Sequence, residues 1–392
     1  EDSVRAILTW LSRGANSSKS DPFPSITGVI PMPGRVRNSS AVENKNYGGR
    51  FGSTIGGGTV WSSFDTCSDV VGSGDNAPLN VFHESVSGGR LNKPNVGFFS
   101  SWFTDYRVDM LDTHNCFDHL GIVGDIFDTD AATQAAARTN PSRPYVDVVT
   151  NALQLGELFH LIQDAGNSFF RNIGNNNLMY QFGIRPVVDD LVSLMNFTDQ
   201  VNHRVGEIER LRSQHGLRRT VSIGNYGNSA KVNKFIQTQN FTLREDFDVV
   251  TSLSIKAHCR WLPAGDCLSL ARPKEMRALA RRAVLGLTFD ASSMWELIPW
   301  SWLIDWGTDI GQYFTAHRNI IPATLSDVSV MRHTRTVASW PGKAQDDWSC
   351  SGIRYVRENK TRATSFVAPV AHIPFLNGTQ MGIAASLAVT RL

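Results

Sequence analysis

The segment RPKEMRALARRAVLG (272–286) sets Arg272, Lys274, Arg277, Arg281 and Arg282 against a single acid, Glu275. On a helix, Lys274, Arg277 and Arg281 are three and four residues apart and share one face, with Met276, Leu279, Ala280, Ala283 and Val284 largely opposite. Guanidinium groups bind phosphate through two parallel hydrogen bonds, so a rigid row of cations beside a buried face suits a nucleic-acid backbone. An ordinary solvated helix face has the same spacing. A second basic cluster follows an amphipathic stretch: Arg204, Arg210, Arg212, His215, Arg218 and Arg219, tempered by Glu207 and Glu209. Cations at a helix C-terminus also complement the macrodipole. In a third region, MRHTRTVASWPGK (331–343) and IRYVRENKTR (353–362), Arg and Lys alternate with Trp340 and Tyr355. Aromatics among cations can stack on unpaired bases, and alternation in an ordinary exposed strand has the same pattern.

Other reactive side chains form no recognisable site. DTHNCFDH (112–119) aligns Asp112, His114, Cys116 and Asp118 on one side of a strand, but no second segment offers matching ligands, so no metal is expected. The chain has no G-x-S-x-G elbow, no H-E-x-x-H and no Walker loop. The acid pairs Asp189 with Asp190, Asp346 with Asp347, and Glu296 with Asp305 lie in no recognised catalytic motif. The expectation is a non-enzyme without catalytic residues or cofactor. Five scattered cysteines without a C-x-x-C pair point to a compartment that keeps thiols reduced. Net charge is only +2, so affinity for a polyanion must come from local patches.

The elements that position these residues alternate along the chain. From Pro22 to Pro144 the composition is rich in Gly, Ser and Asn and reads as strands and turns, with YGGRFGSTIGGG (47–58) as a glycine-dense loop. Between Trp102 and Leu111, period two places Trp102, Thr104, Tyr106, Val108 and Met110 on one face and Phe103, Asp105, Arg107, Asp109 and Leu111 on the other. Helical periodicity takes over at Val148, and a long helix is expected from Pro186 to about Gln214. The clearest strand follows: Val249, Thr251, Leu253, Ile255, Ala257, Cys259 and Trp261 on one face, the polar residues between them on the other. A helix from Pro273 to about Leu285 and a tryptophan-rich segment precede a return to alternation after Pro322. The expected fold is α+β, a β-sheet region joined to a helical bundle formed from the middle of the chain. The β region would comprise 22–145, 217–262 and 322–375, and the helical region 146–216 and 273–317.

The tryptophan segment holds four of the ten tryptophans, yet its uncharged part, Leu297 to Ile304, is too short for a membrane span of ~20 residues. WELIPWSWLIDW (295–306), preceded by YQFGIRPVVDDL (180–191), resembles the maturation proteins of the small positive-strand RNA bacteriophages. Those proteins carry a W-E-x-[IV]-P-[WF]-S-[WF]-hydrophobic-x-D-W segment and an upstream Q-F-G-x-x-P segment in this order. Together the motifs cover about two dozen residues directly. The resemblance implies an elongated, single-copy virion protein that replaces a coat-protein dimer. Its helical region would hold the genomic single-stranded RNA near the 3′ end, and its β region would attach to a host pilus whose retraction draws the RNA inward. Within that frame Arg204, Arg210, Arg212, Arg218, Arg219, Lys274, Arg277, Arg281 and Arg282 are the expected phosphate contacts. Trp295, Glu296, Pro299, Trp302, Asp305 and Trp306 are expected to form a structural hinge between the two regions, with Asp305 accepting hydrogen bonds and Gly307 and Gly311 allowing close approach. Some family members also lyse the host by blocking a cell-wall biosynthetic enzyme; an RNA-binding protein unrelated to phage is the other alternative.

Overall fold

The computed structural model describes residues 34–70, 77–145, 197–213, 215–238, 241–265, 272–286, 291–296, 304–305, 308–369 and 381–383. The apolar stripe beginning at Val148, the helix start at Pro186, and Pro299, Trp302 and Trp306 of the expected hinge lie outside these residues, as does the side chain of Glu296.

The strands are β1 (Gly34–Asn44), β2 (Tyr47–Arg50), β3 (Ser53–Gly56), β4 (Thr59–Val70), β5 (Leu79–Gly88), β6 (Arg90–Lys93) and β7 (Trp102–Arg107). After them come α1 (Asp128–Thr139), α2 (Phe197–Leu211), the long hairpin β8 (Leu217–Thr238) and β9 (Phe241–Pro263), and α3 (Pro273–Val284). The described elements close with α4 (Ala291–Glu296), α5 (Ile310–Ala316), β10 (Ala323–Leu325), β11 (Val328–Gln345) and β12 (Trp348–Ser365). The fold is mixed α+β, with an extended sheet and helices clustered in the middle of the chain. No described helix is long and apolar enough to cross a membrane.

All twelve described strands join one antiparallel sheet. Its main path runs β8, β9, β11, β12, β5, β4, β1. The beginning of β12 pairs with β6, from which a branch continues through β7 and β2 to β3. In β9 the alternation holds residue by residue: Val249, Thr251, Leu253, Ile255, Ala257, Cys259 and Trp261 are buried, while Val250 between them is 52% exposed. Burial of a Leu or Ile side chain contributes roughly 1.5–3 kcal/mol, so a one-residue slip of this strand would forfeit several such terms at once. Two apolar clusters lie on the covered face. One packs α1, α2 and α3 against β9, and the other gathers Leu91, Phe103, Tyr106, Phe247, Trp340 and Tyr355.

Two expectations are corrected. The stretch 22–145 is not purely β, because DTDAATQAAART folds as α1. Alanine is the strongest helix former, and Ala131, Ala132, Ala135 and Ala136 are all buried, a small-residue face that lets the helix lie close against the sheet. Asp125 and Asp128, beside its N-terminus, pair with Arg332 of β11 at 2.8 and 2.7 Å. The alternation of 102–111 also breaks, because Asp105 adopts a φ of 47°. Phe103 and Tyr106 therefore both face inward, and a 3-10 turn at Asp109–Asp112 follows the strand.

That turn is held by Arg107, whose side chain is fully buried. Its guanidinium donates to Glu43 at 2.9 Å and to the carbonyls of Trp61 and Leu111, with Asp112 at 3.9 Å. Lys45 bridges Asp109 and Asp112. The potential ligands of DTHNCFDH are each engaged separately. His114 meets buried Glu84 at 2.7 Å, Cys116 donates to the Thr113 carbonyl, Asp118 pairs with Arg357, and His119 meets Thr336. Replacing Arg107 by Ala leaves Glu43 with Arg90 alone and takes the donor from the Trp61 and Leu111 carbonyls, a loss expected at about 1–3 kcal/mol. Urea unfolding measures it, and a midpoint within error of the parent protein would show that Arg107 does not hold the turn.

Candidate nucleic-acid interface

Helix α3 begins as its sequence requires. Pro273 occupies the first turn, where its missing N–H is no loss, and the Glu275 carboxylate accepts the Arg272 N–H at 2.8 Å. Met276, Ala280, Ala283 and Val284 are buried against α2 and the sheet. Lys274, Arg277, Arg281 and Arg282 are exposed and make no ion pair with any described residue. Arg281 and Arg282 sit in the last turn, where a helix favours cations. Lys274 stands at the opposite, electropositive end, where helix stability offers no reason for it. The result is an unneutralised row on a braced helix.

The second cluster divides. Arg210 and Arg212 are exposed at the end of α2, and the Arg212 guanidinium reaches the sulfur of Met276 in α3 at 3.2 Å. Both therefore belong to the two-helix layer that carries the α3 row. Arg204 is turned inward and leaves the set of phosphate contacts. It donates to the carbonyls of Pro141 at 2.7 Å and Arg143 at 2.6 Å, pairs with Glu207 at 2.9 Å, and lies over the Tyr145 ring at 4.8 Å. Burial pulls its guanidinium below the ordinary value, and the Glu207 charge opposes that fall. Arg219 also binds Glu207, and it donates to the Thr139 carbonyl at 3.0 Å. Glu207 is 2% exposed and meets His203 at 3.1 Å, so these groups tie α2 to β8 and to the end of α1. A buried carboxylate of this kind must be paired, and it draws the two arginines away from solvent. Arg218 alternates to the opposite sheet face from Arg219.

In the third region the aromatics point inward. Trp340 and Tyr355 are buried in the apolar cluster under β11 and β12, so they offer no platform for bases. Arg335, Arg354, Lys360 and Arg362 alternate to the opposite face, whereas Arg332 and Arg357 share the helix side and pair there with Asp125, Asp128 and Asp118.

The chain matches no family model and no curated protein.

Of the hinge residues, the structure places Trp295 and Asp305. The Asp305 carboxylate accepts the Trp295 indole N–H at 3.1 Å through one oxygen and the Gly311 backbone N–H at 3.0 Å through the other. Trp295 also packs against Phe314 of α5, with ring centroids 5.8 Å apart. The Asn140 amide, just past α1, donates to the carbonyls of Ala316 and Arg318 at the end of α5, which fastens the segment to α1. One surface feature has no counterpart in the sequence pattern. Phe51, Phe98 and Phe99 stand 48%, 65% and 76% exposed and meet edge to face, with centroids 5.4–6.1 Å apart. Phe51 lies in the glycine-dense segment and the other two between β6 and β7, so only the strand pairing brings them together.

A Cβ at Gly311 would lie 2.6 Å from the Asp305 carboxylate. Gly311→Ala is therefore expected to break the Trp295–Asp305–Gly311 contact and destabilise the protein by about 1–3 kcal/mol. Thermal unfolding followed by circular dichroism tests this, and an unchanged midpoint would remove the close approach as a constraint.

Proposed function

We propose that the chain is an RNA-holding virion protein of the maturation type, gripping the phosphate backbone of a phage genome through the α2–α3 layer. The observation that carries the RNA-binding part is the exposed α3 row, Lys274, Arg277, Arg281 and Arg282, which no described carboxylate neutralises. A net charge of +2 supplies little long-range attraction, so a concentrated row on a rigid element is what such binding needs. The tryptophan motif and its upstream companion support the phage assignment. On this reading the genome would be selected mainly by shape and exposed loops, with the arginines fixing position. The protein would stand in place of a coat dimer and attach to a pilus through the β region. The solvent-facing Phe51, Phe98 and Phe99 are the described feature best suited to a protein partner there, since clustered exposed aromatics favour protein contacts.

Four phosphate contacts correspond to a slope of roughly −3 to −4 for log affinity against log salt concentration. Replacing Lys274, Arg277, Arg281 and Arg282 together by Gln is expected to flatten that slope by about three, and an unchanged slope would take α3 off the RNA surface. Ultraviolet crosslinking of intact particles, read by mass spectrometry, should place RNA on peptides from 204–219 and 272–286. Particles that lack this chain would overturn the virion assignment.

A further inference from the structure

The sheet has a second face, opposite the helices. Along β9 it carries Ser252, Ser254 and Lys256, and the register extends each position across β11 to β12. Lys256 is followed by Met331 and Arg362, Ser254 by His333 and Lys360, and Ser252 by Arg335 and Glu358. The side chains of Arg335 and Lys360 are 40% and 51% exposed, so this face is open to solvent. Lys256, Arg335, Lys360 and Arg362 thus share this face with Glu358 and, farther along the Glu358 row, with Asp65, which meets His83 at 2.7 Å. Glu358 accepts from Arg335 at 2.8 Å, His333 at 3.3 Å and Lys360 at 3.4 Å. Burial opposes its ionisation, but the hydrogen bonds from Arg335 and His333 outweigh that and hold its carboxyl below the usual range. Lys256 makes no ion pair with a described residue, and Arg362 Nε donates to the Ala77 carbonyl, which neutralises no charge. Farther along the Arg362 row the imbalance recurs, with Arg35 and Arg37 sharing Asp69 at 2.6 and 3.3 Å.

We propose that this open sheet face is a second polyanion site, built to take the phosphate backbone of an RNA strand and separate from the α3 row. Lys360 and Arg362 are two residues apart on one strand, about 7 Å, close to the spacing of successive phosphates in an extended strand. The strands that carry these cations are paired on both sides, so binding requires little ordering of the backbone. The chemistry favours nucleic acid over an acidic protein. Protein interfaces bury an apolar centre depleted of Lys and Glu, whereas this patch holds Lys256, Lys360 and Glu358 at its centre. Trp261, Trp340 and Tyr355 of the same strands are buried on the other side, so among the described residues of β9, β11 and β12 no Trp, Tyr or Phe accompanies the cations. Recognition here is accordingly by charge, without base preference and strongly dependent on salt. The proposal rests on the placement of charge and does not require the phage assignment.

Fluorescence anisotropy of the full chain with a fluorescein-labelled oligouridylate, titrated at several salt concentrations, tests the site. K256Q/K360Q/R362Q is expected to bind at least tenfold more weakly at low salt and to flatten the slope by about two, roughly 0.7 for each phosphate left without its cation. The charge-conserving K256R/K360R/R362K should keep the parent slope, and matching circular dichroism spectra confirm that each variant folds. K274Q/R277Q/R281Q, measured alongside, separates the two surfaces. Weakening confined to that helix variant would overturn the sheet site and leave the α3 reading standing; weakening confined to the sheet variant would do the reverse. Parent affinity and slope in the sheet variant overturn the proposal. So does binding of polyglutamate that the sheet variant abolishes while oligouridylate binding stays intact, which would assign the face to an acidic protein.

Discussion

Period-two separation of apolar from polar side chains in β9, β11 and β12 is the constraint on which the described structure depends. Each strand is locked in register on both edges, so a single slip would turn Leu253, Ile255, Trp340 and Tyr355 toward water and Lys256 and Lys360 toward the core. The helices have somewhere to pack only because one face is predominantly apolar. The same alternation puts Ser252, Ser254, Lys256, Arg335, Glu358, Lys360 and Arg362 on the other face, while the few polar residues on the helix side are paired: Thr251 with Thr336, Arg332 with Asp125 and Asp128, and Arg357 with Asp118. Core formation and surface charge are two outcomes of one pattern.

The fate of each arginine then follows from the carboxylates within its reach. Glu207 lies on the inner side of α2 and must be neutralised there, so it captures Arg204 and Arg219 for structure. Glu43 does the same with Arg107 and Arg90 at the base of β7. Helix α3 has only Glu275 among its side chains, and that acid serves the cap, so its cations remain available. The availability of a cation is decided by its local acid count and depth, which is why a modest net charge is compatible with two concentrated basic surfaces.

Much of this is legible in the sequence. Strand β9 can be read face by face because burial on one side imposes strict alternation, and α3 because its apolar period and Pro273 agree. Helix α1 escapes such a reading because its inward side is alanine, too small to mark an apolar stripe in a stretch otherwise rich in glycine and serine. The inward turn of Arg204 is hidden because a Glu three residues on looks the same in an exposed pair and in a buried one. At Asp105 the left-handed backbone, not side-chain type, breaks the alternation. The gathering of Lys256, Lys360 and Arg362 depends on cross-strand register between distant segments, and hydrophobic pattern alone does not specify which strands are neighbours.

The pairing of β5 with β12 joins residues 79–88 to residues 353–362. A ribosome releases β1, β4 and β5 long before β12, so for most of translation β5 has a bare hydrogen-bonding edge. Throughout that interval Glu84 also lacks the Tyr355 hydroxyl that donates to it in the finished sheet. Any sheet that β1, β4 and β5 form at that stage has this edge unpaired until β12 emerges. A chain stopped short of Trp348 lacks the strand that joins β11 to β5, so the two parts of the sheet are sealed together only when the last long strand is made.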